Sequence, residues 1–223
     1  MEEEVPVQPA ATVILLRDTP GGLETLLIQR GQKLVFHGGA WAFPGGRVDD
    51  EDGAGAEDDL AAARIGAVRE TREETGLVIA ADDLVPISHW TTPPGFPRRF
   101  ATWFFLVRAT TDDVQVDGTE TQAHRWISPD AAIEARASGE IELPPPTFVT
   151  LAALRDSPDV EAAFERARSR GVIHYVPQRR RIEAGHVSLY EGDVAFAGGD
   201  LERPGPRRRF YMLESEWRYE DDA

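Results

Sequence analysis

Residues 69–76 read RETREETG, and this stretch decides how the rest of the chain is interpreted. The apolar residues before it recur at helical spacing, and Gly76 stands where a helix ends on a left-handed glycine. On such a helix Glu70, Glu73 and Glu74 occupy positions i, i+3 and i+4, so they share one face. The sequence therefore predicts a helix that presents three carboxylates together and ends at Gly76.

This glutamate cluster is electrostatically unfavourable by itself. Glu70 and Glu74 form a like-charge pair that costs about 0.2–0.5 kcal/mol, and each carboxylate near the helix C-terminus costs about 0.3–1 kcal/mol against the helix dipole. Arg69 can pair with Glu73 one turn later, which leaves the other two glutamates facing each other. A divalent cation would neutralise them, and carboxylate oxygens suit Mg²⁺ or Mn²⁺. The alternative is a solvated acidic face that is bridged by arginines.

The order of these residues resembles the second half of the Nudix box, Gly-x5-Glu-x7-Arg-Glu-U-x-Glu-Glu-x-Gly-U, in which U is aliphatic. Residues 69–77 match six of its fixed positions, and Thr71 departs from it at a U position. The preceding segment WAFPGGRVDDED (41–52) looks like the Phe-Pro-Gly-Gly entry of the same family. The resemblance implies an α/β Nudix fold, a mixed β-sheet sandwiched between helices.

The two halves of the box are not contiguous, so its glycine has two candidates. Family spacing puts the glycine 14 positions before Arg69, at Gly55, but Ala61 then replaces the first glutamate and no Phe-Pro precedes the glycine. If Gly46 is the box glycine, the expected Phe-Pro precedes it, nine extra residues separate the two halves of the box, and Asp52 replaces the first glutamate. We favour Gly46 and expect its carbonyl, and not that of Gly55, to face the glutamates. Other candidates for the missing acid are Asp49, Glu57 and Asp59.

The resemblance also implies residue roles. Mg²⁺, or Mn²⁺, would be held by the carboxylates of Glu70, Glu73 and Glu74 and the backbone carbonyl of Gly46. A further acid is expected from GTETQAHRWISPDAA (118–132), which resembles the family segment where an acidic residue precedes a Trp-x-x-Pro junction. Glu120 is the best match, and the general base is open between Glu120 and one box glutamate. The implied catalytic residues are Arg69, which would orient the glutamates, Glu70, Glu73 and Glu120.

Two segments are similar to the coenzyme A diphosphatases of this family. Residues 26–52 share a Leu-Leu pair, a basic residue and a glycine-rich approach to Phe-Pro-Gly-Gly, and TPPGFPRRFATWFFL (92–106) looks like the peroxisomal branch. This implies a nucleoside diphosphate linked to another group, with coenzyme A or an acyl-CoA first. Alternatives are ADP-ribose, an NDP-sugar or dinucleotide, a nucleoside triphosphate, or a catalytically weak nucleotide-binding sensor. The candidate substrate-binding residues are Arg30, Arg98 and Arg99.

Composition limits the partners. With 24 Lys and Arg against 39 Asp and Glu, the net charge of −15 makes a nucleic-acid partner unlikely, because binding to phosphate backbones is mostly electrostatic. The chain has no cysteine, which excludes thiolate sites and fits a cytoplasmic protein. No apolar run of about 18 residues predicts a membrane span, and the acidic N-terminus is unlike a secretory signal. For the Arg179–Arg181 and Arg207–Arg209 triplets we favour a solvated or salt-bridged surface over a phosphate site.

The organisation of the chain follows from its turn residues and apolar periods. Residues 11–30 predict a hairpin around Pro-Gly-Gly, and residues 49–59 predict a solvated acidic loop. Further strands are predicted at 77–79, 84–92, 101–109 and 123–128, and helices at 129–140, after the proline run, and at 159–170. We expect a Nudix domain at 9–155 and a helix with a β-rich extension at 156–223, packed on it and offering a homodimer surface.

Overall fold

The structure, a computed structural model, describes residues 5–31, 39–116, 121–214 and 216–222. The strands are β1 (Val7–Thr19), β2 (Gly22–Arg30), β3 (Trp41–Ala42), β4 (Gly45–Arg47), β5 (Val85–Thr91), β6 (Arg99–Arg108), β7 (Thr121–Ile127), β8 (Ile173–Tyr175), β9 (Gln178–Ile182), β10 (Gly185–Leu189), β11 (Arg208–Leu213) and β12 (Trp217–Asp221). The α-helices are α1 (Asp50–Gly53), α2 (Asp59–Thr75), α3 (Pro129–Ala137), α4 (Pro145–Leu154) and α5 (Val160–Arg170). None of these helices is long and apolar enough to cross a membrane.

The main sheet has eight strands in the order β3-β2-β1-β6-β5-β8, with β4 added to β1 and β7 to β2. It is mixed, because β1 runs parallel to β6 and β5 runs parallel to β8, while the other pairs are antiparallel. The expected hairpin forms the start of this sheet, with Thr19 paired to Gly22 across the turn. β1 is long enough to pair with β2 through one half and with β4 through the other.

Helices cover both faces of the main sheet. Successive residues of β1 point to opposite faces, so alternate residues pack against different helices. Ala11, Val13 and Leu15 pack against α2 through Ala63 and Ala67. On the other face, the alternate residues of β1 share a core with α3, α4 and α5. The expected Nudix arrangement of a mixed sheet between helices is therefore confirmed.

Two local predictions were wrong. The acidic stretch 49–59 is not all loop, because α1 forms within it, with Asp49 and Asp52 capping each other's backbone amides in a capping box. Residues 77–79 belong to no strand, although Leu77 and Ile79 are buried. Their side chains fill the core beneath α2, and apolar burial alone does not require a ladder partner.

The C-terminal residues form a second, antiparallel sheet in the order β12-β11-β10-β9. It shares a core with the main sheet, because Tyr190 and Phe210 belong to the same cluster as Trp90 and Phe148. The two arginine triplets are largely structural. Arg180 donates to the carbonyls of Ala195 and Gly199, Arg208 pairs with Asp221, and Arg209 pairs with Asp193.

Candidate metal and diphosphate site

The helix that carries the glutamates has clear ends. Asp58 accepts a hydrogen bond from the amide of Ala61 at 2.8 Å, and Gly76 ends the helix at φ 70° in the left-handed region. Gly76 hence allows the chain to leave the helix directly after the last glutamate. This places the cluster in the final turns of α2, as its sequence position predicts.

The glycines of β4 lie against the glutamates of α2. The amide of Gly45 donates to Oε2 of Glu74 at 2.8 Å. A Cβ added to Gly46 would lie 2.5 Å from the carboxyl carbon of Glu70, so only glycine leaves room for that carboxylate. The same test at Gly55 finds nothing within 4 Å. The glycine that meets the glutamates is thus Gly46, and the nine inserted residues fall between Asp52 and Arg69, in the loop before α2 and the first turns of that helix.

The expected orientation of the Gly46 carbonyl differs from the structure. Gly46 pairs with Ala11 in the antiparallel ladder. Two flanking hydrogen bonds, from the Val13 amide to the Pro44 carbonyl and from the Val48 amide to the Pro9 carbonyl, fix the alternation. In an antiparallel ladder, every second residue points its amide and carbonyl at the partner strand. Gly46 therefore points its amide and carbonyl at β1, whereas Gly45 and Arg47 point theirs away from β1. The Gly45 amide and the Arg47 carbonyl accordingly meet α2 side chains.

Arg69 ties the two halves of the box together. Its guanidinium donates to both carboxylate oxygens of Asp52, at 3.1 and 2.8 Å. It also donates to Glu70 at 2.8 Å, to Glu73 at 3.1 Å and to the Arg47 carbonyl at 3.0 Å. Asp52 therefore anchors Arg69, and Arg69 positions two of the three glutamates.

Burial and ion pairing set the protonation tendencies of the cluster. Hydrogen bonds from Arg69 hold the pKa of Asp52 below its usual range despite its burial. The same bonds raise the pKa of Arg69. Burial raises the pKa of Glu70, with Arg69 acting against it and Glu73 adding like-charge repulsion. A second cation beside Glu70 would relieve this penalty.

The fit to a divalent cation rests on Glu70 and Glu74. Among the residues that the structure describes, no three Asp, Glu or His side chains form a ready-made metal cluster. Glu70 and Glu74 nevertheless share one helix face and both abut the glycine backbone, whereas Glu73 is largely exposed and contacts Arg69. Two carboxylates suit Mg²⁺, which keeps several waters when bound and needs only one or two protein carboxylates. Glu120 lies outside the described residues.

A cleft of about 440 Å³ opens on the other side of the glycines. Its floor crosses β4, β1, β6 and β5, and α4 and the C-terminal sheet form its walls. Because Gly45 and Gly46 line this cleft and have no side chains, only backbone separates it from the glutamates. Most of the lining is apolar or aromatic, including Phe43, Trp90, Phe96, Phe100, Phe104, Tyr190 and Met212.

The structure brings two of the three predicted substrate-binding arginines to this cleft. Arg30 lines it near the glycine end, and its Nε is buried without a hydrogen-bond partner among the described residues. Arg98 lines it near the opposite end. Arg99 does not line the cleft: it is buried and donates to the carbonyls of Thr92 and Val5, so it secures the start of β1.

Sequence reasoning missed two cations of the cleft, Arg47 of β4 and Arg179. Arg179, on β9, lines the cleft from the C-terminal sheet. Its guanidinium carbon lies 5.8 Å from the ring centroid of Phe96. The triplet 179–181 was visible in the sequence, but nothing in it distinguishes the arginine that faces the cleft from its neighbours.

Known proteins show similarity to this chain. It is 29% identical over 187 residues to putative nudix hydrolase 7 of Caenorhabditis elegans, which covers 67% of the chain and 61% of that protein. It is 38% identical over 94 residues to the peroxisomal coenzyme A diphosphatase ndx-8 of the same organism, which covers 42% of the chain and 36% of that protein. The chain thus spans less than two thirds of the length of either relative.

A solved structure has the same fold. The crystal structure of a NUDIX hydrolase from Alicyclobacillus acidocaldarius superimposes with a TM-score of 0.65 at 27% identity, covering 72% of this chain and 96% of that one. The family model described as NUDIX domain matches residues 6–146, which is more than half of the chain and includes α2 and the glycines of β4. The chain therefore belongs to the NUDIX domain family.

Proposed function

We propose that the protein is a Mg²⁺-dependent hydrolase, with Mn²⁺ as a substitute, that cleaves the diphosphate of a nucleoside diphosphate linked to a second group. The observation that supports this most is the contact of the glutamates of α2 with Gly45 and Gly46. Glu74 accepts from the Gly45 amide, Glu70 abuts Gly46, and both glycines line the cleft. A diphosphate beside these two glycines would contact the metal held by the carboxylates on one side and the cleft on the other.

The residues divide the work of this reaction. Glu70 and Glu74 would hold the metal, with Glu73 as a further ligand or base through water. The bound metal would supply charge neutralisation on the phosphate oxygens and an activated water. Arg69 would keep Glu70 and Glu73 in place through its fork of donors, and Arg30 would neutralise phosphate charge at the glycine end. The general base is either Glu120 or a box glutamate.

Coenzyme A or an acyl-CoA is the proposed first substrate. Support comes from the partial similarity to a coenzyme A diphosphatase and from a cleft whose lining is mostly apolar and includes several arginines. An extended, mostly apolar cleft suits a long substituent on the diphosphate better than a bare triphosphate. ADP-ribose, NDP-sugars and dinucleotides remain the competing substrates, and the assay below ranks them.

The test is a turnover assay on coenzyme A, acetyl-CoA, ADP-ribose, NADH and dATP, each with Mg²⁺ and with Mn²⁺. Glu74→Gln keeps an acceptor for the Gly45 amide but removes a charge from the metal site. Since a metal contributes several kcal/mol to transition-state stabilisation, we expect kcat to fall roughly 10³-fold. Products are identified by mass spectrometry, and the melting temperature is recorded to confirm folding.

Glu57→Gln is the matched control, because Glu57 is exposed in the loop before α2 and Asp52, another candidate for the missing acid, is the one that pairs with Arg69. It should turn over at the wild-type rate. Wild-type rates in Glu74→Gln would contradict the assignment of the metal site. If no substrate turns over in the wild type while one of them binds at micromolar affinity, the protein is a nucleotide sensor and the proposed hydrolase function is wrong.

A further inference from the structure

We propose that Arg179 of the C-terminal sheet binds an anionic group of the substrate other than the cleaved diphosphate. The inference rests on the proposed function for the identity of the ligand, and it adds a recognition residue that lies outside residues 6–146 matched by the family model. The ligand class is a nucleoside diphosphate derivative that carries a second phosphate or a carboxylate. The C-terminal extension would then select the substrate, while the glutamates act on it.

The cleft has two chemically different ends. At one end lie Gly45, Gly46 and Arg30, next to the glutamates of α2. At the other end lie Arg98, in the loop that follows β5, and Arg179, on β9 of the C-terminal sheet. Cations at both ends of an otherwise apolar cleft point to a ligand with negative charge at both ends.

The distance between the ends follows from the sheet. Four strands cross the floor in the order β4, β1, β6 and β5, with Gly45 beside Thr12 and Thr12 beside Phe104. Three spacings of ~4.8 Å separate the outer two of these strands by ~14 Å. A single diphosphate group does not span it.

Arg179 is uncommitted among the described residues, apart from its ring contact with Phe96. Arg180, beside it, is engaged with two backbone carbonyls, and Arg209, on β11 of the same sheet, is held by Asp193. The chain has 39 acidic side chains against 24 basic ones, so carboxylate partners for a surface arginine are plentiful. Arg179 instead faces an aromatic ring across the cleft, together with Arg98, which likewise has no described ion-pair partner.

The aromatic ring gives this end of the cleft a defined geometry. Phe96 and Arg98 belong to the loop between β5 and β6, and Arg179 comes from β9, paired with Ser188 of β10. Ser188 and Pro177 also line the cleft. The β5–β6 loop and the C-terminal sheet thus contribute opposite walls, and an anion between them would contact Arg98 from one wall and Arg179 from the other.

The test compares ligands that differ only in the second anion. The pairs are coenzyme A with 3′-dephospho-coenzyme A, succinyl-CoA with butyryl-CoA, and 2′-phospho-ADP-ribose with ADP-ribose. Binding is measured by calorimetry in EDTA, so that no turnover occurs and the metal site is silent. The wild type should prefer the anionic member of at least one pair. Because a charged contact changes affinity by about 10- to 100-fold, Arg179→Gln should reduce that preference about 10-fold.

Arg181→Gln is the matched control. Arg181 lies two residues further along β9, is exposed like Arg179 and carries the same charge, but does not line the cleft. It should leave the preference unchanged. The proposal is overturned if the wild type shows no preference in any pair, or if Arg179→Gln weakens both members of the preferred pair equally. Failure of the hydrolase function would appear separately, as an absence of turnover with Mg²⁺ despite this binding.

Discussion

Two arginine–carboxylate clusters in this molecule use the same chemistry in different surroundings. Arg69 and Asp52 pair at the open edge of the glutamate site, where the arginine side chain is 28% exposed and shares its donors among several acceptors. Arg209 and Asp193 pair inside the C-terminal sheet, where both side chains are 0% exposed. Two parallel hydrogen bonds of 2.7 Å join the second pair.

The difference teaches what each pair is for. The Arg209 pair is satisfied on all sides, with the Leu201 carbonyl and the Tyr211 hydroxyl also in contact with Arg209, so it fixes the loop of residues 190–207 against β11. The Arg69 cluster brings together more negative charge than one arginine neutralises. A closed pair serves the fold, whereas an open cluster with excess negative charge can receive a cation. Substitutions at the two clusters should therefore affect different measurements.

The largest expected effect is on stability, at the buried pair. Arg209→Met leaves Asp193 charged and buried without its partner, so the free energy of unfolding should fall by about 3–5 kcal/mol. Urea denaturation followed by fluorescence or circular dichroism measures it. A loss below about 1 kcal/mol would mean that the pair is not the closed structural contact described here.

The next effect is on activity, at the open cluster. Gly46→Ala places a Cβ 2.5 Å from the Glu70 carboxylate, which must move because it is the flexible end of a side chain. Since displacement by about 1 Å can cost 10²-fold in rate, we expect kcat to fall roughly 10²-fold with little change in melting temperature. Gly53→Ala, at a position with no atom within 4 Å of the added Cβ, is the control and should be silent.

A smaller effect is expected when the positive charge at position 69 is kept but the several N–H donors of the guanidinium are lost. Lysine in Arg69→Lys cannot contact Asp52, Glu70, Glu73 and the Arg47 carbonyl together. We expect kcat/KM to fall about 10-fold and the free energy of unfolding by about 1 kcal/mol, because the arginine is partly exposed. A stability loss as large as that of Arg209→Met would erase the distinction between the two clusters.

The smallest effect is a pH dependence at the buried pair. Burial opposes ionisation of Asp193, but hydrogen bonds from Arg209 and from the amides of Ala195 and Arg208 outweigh it and lower its pKa. A lowered pKa contributes stability above the unfolded value of about 3.9, and that contribution is lost as pH falls through the folded value. The advantage of the wild type over Asp193→Asn should be flat from about pH 5 to 8 and shrink below about pH 4. Shrinkage centred above pH 5 would contradict this.

The sequence predicted what local chemistry decides. Gly76 at the end of α2 and the Pro-Gly-Gly turn each rest on contacts within a few residues, and each appears in the structure. The shared face of the glutamates follows from helical periodicity alone. The choice of Gly46 over Gly55 also came from its local lead-in rather than from counting positions.

Features that depend on contacts between distant segments could not be predicted. The direction of the Gly46 carbonyl depends on the register between β4 and β1, which one strand alone does not specify. Leu77 and Ile79 have the apolar side chains that are typical of a buried strand. Only the tertiary structure shows that no described strand pairs with them. The separation of Arg179 from Arg180 depends on which face of β9 meets the cleft, and its separation from Arg181 depends on how far along β9 the cleft extends.

The most direct test of the central claim is the binding of Mn²⁺ measured by electron paramagnetic resonance, with α,β-methylene-ADP present as an uncleaved diphosphate. The account predicts that the wild type and Glu57→Gln bind Mn²⁺ more tightly when the diphosphate is present. It predicts that Glu74→Gln and Gly46→Ala weaken this binding at least about 10-fold, since each disturbs a carboxylate at the glycine edge. Equal Mn²⁺ affinity in all four proteins would contradict the claim that these glutamates and glycines form the metal and diphosphate site.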